Sequence, residues 1–76
     1  MPGDTILVKR DENRAERWDR TSLAEYLGDT PGRVIKETRH NDGSVTTVTH
    51  YEVPWQTLTT KETRWTRVLV TETAIP

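Results

Sequence analysis

The chain predicts an α+β fold: one helix packed on a three- or four-stranded, mostly antiparallel sheet, in the order β-α-β-β-β, within a single small domain spanning residues 1–76. Three observations lead there. Arg33 to Thr73 is rich in threonine and β-branched residues and is broken by the turn signal Asn41-Asp42-Gly43-Ser44. Upstream, Trp18, Ser22 and Tyr26 share a helical stripe that Gly28 ends. Within the β-rich half, apolar residues alternate with Thr, Lys, Glu and Arg, as in a sheet wet on one face.

Each element follows in order. Thr5-Ile6-Leu7-Val8-Lys9 reads as the first strand. Residues 10–20 are densely charged, and Ala15 extends the helical stripe backwards, with Leu23 at its edge. Asp11 or Asn13 supplies a cap for a helix starting early. Ser22-Leu23-Ala24-Glu25 has capping-box spacing for one starting late. The end is sharper, near Leu27. Asp29-Thr30-Pro31-Gly32 is a turn, after which Arg33–His40 meets Val45–Val53 across Asp42-Gly43. A two-residue Asp-Gly loop predicts a type I′ hairpin in which Arg33 faces Glu52, Val34 faces Tyr51 and Lys36 faces Thr49. Pro54-Trp55 ends that strand. Thr57–Thr73 is too long for an ordinary strand unless it bends, and Arg67–Thr71 is its buried piece.

Size limits the core. Only 32% of 76 residues are hydrophobic and there is no Phe. A domain this small usually adds disulfides, a metal or a partner. Without Cys, disulfides and thiolate metal sites are excluded, and two His offer no metal cluster. Self-association is the remaining route. Eleven basic and 12 acidic residues give a net charge of −1, which makes DNA the less expected partner. No apolar run approaches a membrane span, and Met1-Pro2-Gly3-Asp4 does not open a signal peptide, so the cytoplasm is the expected location.

Catalytic chemistry is not expected. The hairpin register places His40 and His50 on opposite faces, where they cannot pair or share a metal. Ser22 reads as a helix cap and Ser44 as a turn residue, neither in a nucleophile motif. Gly28-Asp29-Thr30-Pro31-Gly32 lacks the lysine of a phosphate loop. No cofactor is implied.

Binding is the better prospect. Arg67, Trp65, Arg64 and Trp55, with Arg33 and Arg39 on the hairpin, form the candidate site, because Arg and Trp dominate interface hot spots and suit anionic or aromatic ligands. The competing role for Trp18 and Trp65 is simply to fill a core without Phe. On a strand, Arg64 points away from Trp65 while Arg67 shares its face.

Leu23-Ala24-Glu25-Tyr26-Leu27-Gly28 resembles the first helix and turn of the helix-turn-helix DNA-binding motif. That resemblance covers about 20 residues. It implies a second helix capped by Thr30-Pro31, with Val34 inward and the hairpin as a wing. Asp29 and Glu37 depart from the pattern, and Gly32 lowers the propensity of the supposed recognition helix.

The sequence therefore points first to a non-catalytic, homo-oligomeric binding protein that inhibits, sequesters or bridges another molecule, as small accessory proteins of viruses or mobile elements do. A binder of a nucleotide or other phosphorylated ligand in an Arg- and Trp-lined inter-subunit pocket comes second. A winged-helix DNA-binding protein comes third.

Overall fold

The computed structural model describes residues 5–75; the signal-peptide reading of Met1–Asp4 lies outside them. Strand β1 (Thr5–Arg10) is followed by a two-residue strand β2 (Glu16–Arg17), helix α1 (Arg20–Leu27), and strands β3 (Gly32–Arg39), β4 (Val45–Gln56) and β5 (Thr63–Ala74). The strands form one antiparallel sheet in the order β2-β1-β5-β4-β3. The class is α+β as expected. The sheet is one strand wider than expected, because Glu16 and Arg17 pair with Val8 and Leu7.

Helix α1 begins at none of the anticipated caps, Asp11, Asn13 or Ser22. Asp19 has extended backbone, and its Oδ1 accepts the Ser22 N–H at 2.6 Å. Ala15 and Trp18, both on the expected helical stripe, consequently lie outside the helix. The end is as expected: Gly28 takes φ 54° and its N–H donates to the Ala24 carbonyl at 2.9 Å. Leu23 and Leu27, four apart, face the sheet and meet Ile6, Val8, Val68 and Val70; these six are the buried core. Trp18, Tyr26, Tyr51 and Val53 pack around it. Trp18 and Tyr26 meet edge to face at 5.2 Å, and the Arg10 guanidinium lies 5.3 and 5.8 Å from their ring centroids while also pairing with Glu16 at 2.9 Å.

The β3–β4 hairpin forms, but not in the expected register. The His40 carbonyl accepts from Gly43 N–H at 3.1 Å and the His40 N–H donates to Ser44 O at 2.9 Å, closing a three-residue loop with Gly43 at φ 90°. The third loop residue shifts the pairing by one. A bulge between Val34 and Lys36 shifts it once more, so Arg33 faces His50, Val34 faces Thr49 and Lys36 faces Val48. Asp42 Oδ1 stiffens the loop by accepting from Ser44 Oγ at 2.6 Å and Ser44 N–H at 2.9 Å.

Two further expectations are corrected. Strand β4 does not stop at Pro54 but runs to Gln56. Pairing with β3 ends at Tyr51, so Pro54 lies where one side of β4 carries no neighbouring strand and a missing N–H is tolerated. The second helix of the helix-turn-helix reading does not form: its residues are β3, paired along β4. The two 12-residue strands β4 and β5 each reach about 40 Å at the usual strand rise, most of the molecule's 50 Å long axis.

Candidate binding surface

Residues paired across a ladder share a face, so the registers read out each side of the sheet. Helix α1 covers the face carrying Ile6, Val8, Val68 and Val70. Among the described residues the opposite face carries no helix. One row of it runs Thr5, Thr73, Thr46, Thr38, with Thr46 and Thr73 hydroxyls 3.1 Å apart. The next runs Leu7, Thr71, Val48, Lys36, and the third Lys9, Leu69, His50, Arg33. Beyond them Arg67 faces Glu52, and Trp65 faces Pro54.

This parity divides the arginine and tryptophan set. Arg33, Trp65 and Arg67 lie on the uncovered face; Arg39, Trp55 and Arg64 lie on the other, opposite Val45 and one another. Arg39 approaches Glu37 at 3.9 Å and Arg64 approaches Glu62 at 3.6 Å. The six therefore do not converge on one site. The tryptophans divide as well. Trp18 packs at the margin of the core, whereas Trp65 is 58% and Trp55 49% exposed.

Arg33 and Trp65 are brought together in a shallow depression of about 490 Å³, lined also by Pro31, Gly32, His50 and Glu52. His50 and Glu52 were not among the expected site residues; only the register reveals them, because they are alternate residues of β4 on the uncovered face. His50 Nε2 is shielded from solvent, has no hydrogen-bond partner, and lies 3.6 Å from Glu52 Oε1.

The expected separation of the histidines onto opposite faces is overturned. The three-residue loop puts His40 on the same face as His50, with His40 Nε2 2.7 Å from Thr46 Oγ1. Thr46 and His50 are four residues apart on β4, roughly 13 Å along a strand, so the two rings stand well apart. Ser44 Oγ is committed to Asp42, and Ser22 stands in the first turn of α1 with its N–H on Asp19. Those bonds hold both carboxyls below the ordinary aspartate pKa. At Asp19 the Ser22 backbone N–H contributes most and its hydroxyl next; at Asp42 the Ser44 hydroxyl leads and its N–H follows.

A second surface projects past the core. Beyond Val53 and Thr66, strands β4 and β5 continue as a two-stranded arm, Pro54–Gln56 against Thr63–Trp65. Its tip, residues 57–62, is closed by Thr57 N–H to Glu62 O at 3.0 Å and by the Gln56 amide to Lys61 O at 3.0 Å. The arm exposes Trp55 on one face, Trp65 on the other, and Leu58 at its tip with 95% of its surface in solvent.

The chain is thus a small α+β protein with an uncovered sheet face and a protruding arm. Comparison with protein-family models, with curated proteins and with solved structures returned no match. No helix among the described residues is long and apolar enough to cross a membrane.

Proposed function

We propose that this chain is a non-catalytic binding protein that acts as a homo-oligomer in the cytoplasm and uses its β4–β5 arm to assemble. The arm carries the reading. Trp55 and Leu58 stand exposed beyond a core that, among the described residues, has six buried apolar side chains, Ile6, Val8, Leu23, Leu27, Val68 and Val70. Exposed aromatic and leucine side chains on a protruding ribbon cost solvation in isolation and are covered when a second copy packs against them. A role as a small accessory protein that inhibits, sequesters or bridges another molecule suits such an assembly.

A second apolar exposure, Val34 and Ile35 on β3, is a poorer interface. Its edge is interrupted by the bulge between Val34 and Lys36 and flanked by Arg33, Lys36 and Arg39, features that discourage strand addition. Hydrogen exchange at low and high protein concentration tests the choice. Amides of residues 55–65 should gain protection as concentration rises, and the double substitution Trp55→Ser, Leu58→Ser should abolish the gain. Protection appearing at residues 32–39 instead would assign assembly to the β3 edge.

The second reading, a phosphorylated ligand at an Arg- and Trp-lined pocket, is favoured by the depression that joins Arg33 to Trp65. The Glu52 carboxylate in its wall opposes a compact anion there.

A further inference from the structure

We infer that the uncovered face of the sheet is a docking surface for single-stranded nucleic acid. The observation is a segregation of charge that the total conceals. The chain carries a net charge of −1, yet the strand residues facing away from α1 include Lys9, Arg33, Lys36 and Arg67 against one carboxylate, Glu52. Among the described residues, none of those four cations makes an ion pair. On the helix side, by contrast, Arg10, Arg20, Arg39 and Arg64 each have a carboxylate partner. Unpaired cations gathered on one face raise its local potential whatever the sum over the molecule.

Three physical arguments select the occupant. A second copy stacked on this face would oppose cation to cation, so the face does not suit self-association. A duplex offers its base edges to a helix or ribbon that enters a groove, and this face is a broad sheet. A single strand offers what the face is built to meet: phosphates for the cations, and unstacked bases for the Trp65 ring, 58% exposed at the end of the same face. Lys9 and Arg33 are separated by three strand intervals across β1, β5, β4 and β3, roughly 14 Å. Arg67 and then Trp65 follow along β5, so one strand of a few nucleotides can cross the basic rows and lay a base on the indole. Leu69 and Val48, half-buried between the cations, add apolar contact.

The test is a fluorescence titration of the full chain with a 15-nucleotide oligothymidylate at low salt, repeated at increasing salt. Saturable binding with tryptophan quenching is expected. If three or four phosphates are neutralised, log K should fall against log salt with a slope of about −2 to −3. Trp65→Ala should weaken binding about fivefold or more. Arg33→Ala with Lys36→Ala should reduce the slope by about 1.4, and Arg14→Ala should change neither quantity. These side chains are exposed, so the variants should retain the wild-type circular dichroism; Trp65→Tyr, which keeps an aromatic face, should recover most of the affinity. No binding at low salt, tighter binding to a duplex of equal length, or equal binding to polyglutamate with Trp65→Ala neutral would each overturn the inference. Trp65 itself stands on the arm, so the solution mass of Trp65→Ala is measured beside its binding; Arg33 and Lys36 lie on β3, outside the arm, and weaker binding by their double variant at unchanged mass separates this inference from the arm-mediated assembly.

Discussion

Gly32→Ala separates two opposing effects by the sign of its result. Gly32 does not have positive φ, so its backbone suits alanine. At an unobstructed site the change would stabilise by about 0.4–1 kcal/mol through the unfolded chain. Here a Cβ would stand 2.6 Å from Tyr51 Cζ and 2.9 Å from Thr49 Cγ2. Gly32 pairs with Tyr51 at the end of the β3–β4 ladder, and the ring lies over it while packing against the core. The ring must shift from its place against the core, or β3 must peel from β4. Overpacking of this kind costs about 1–3 kcal/mol. The net is a loss of about 1–2 kcal/mol, or roughly 5–15 °C in melting temperature for a domain of this size. Thermal melts by circular dichroism at fixed concentration measure it. In a Tyr51→Leu background the same substitution should cost much less, because the obstructing ring atoms are gone. An unchanged or higher melting temperature for Gly32→Ala would refute the packing described for β3 against Tyr51.

Other outcomes follow from the turns, the caps and the cation–aromatic cluster. Gly43→Val should destabilise by about 1 kcal/mol or more, because φ is 90° there; denaturant titration measures it. Asp19 and Asp42 have folded-state pKa values lowered by bonds from Ser22 and Ser44. Their stabilisation is complete above the unfolded aspartate value of about 3.9 and is lost as pH falls through the lower folded values. Asp19→Ala and Asp42→Ala should therefore each flatten the acid limb of the stability curve below about pH 4, and an unaltered limb in the double variant would contradict the bonding. Arg10→Ala removes a guanidinium held near Trp18, Tyr26 and Glu16. It should cost about 1 kcal/mol, with Arg10→Lys failing to restore it because an ammonium lacks the guanidinium's fork of donors and its weaker hydration.

What the sequence disclosed and what it hid have separate physical causes. The first strand, the helix end at Gly28 and the hairpin at Asp42-Gly43 carry local signals: a β-branched run, a residue free to take positive φ, and turn chemistry. The helix start did not, since Asp19 is one of several polar residues able to cap. Strand β2 is two residues paired with Leu7 and Val8, and no local preference announces it. Register was the larger loss. One extra loop residue and one bulge together moved β3 by two positions over Gly32, Arg33 and Val34, and the first of these alone reversed the face assigned to His40. The candidate site inherited that uncertainty. Arg33, Trp65 and Arg67 stand together while Arg39, Trp55 and Arg64 do not, because face is decided by parity. The relation between Trp65, Arg64 and Arg67 was legible, since it needs only alternation within one strand. The basic face was not: it is assembled from β1, β3 and β5, and a summed charge of −1 erases it.

Whether the arm joins copies of this chain is read from the mass in solution. Light scattering behind size exclusion should give at least twice the 8.8 kDa chain mass at micromolar concentration, falling toward one chain on dilution. The Trp55→Ser, Leu58→Ser variant should remain a folded single chain throughout. A wild-type mass of one chain at every concentration, with a melting temperature that does not rise with concentration, would contradict the account.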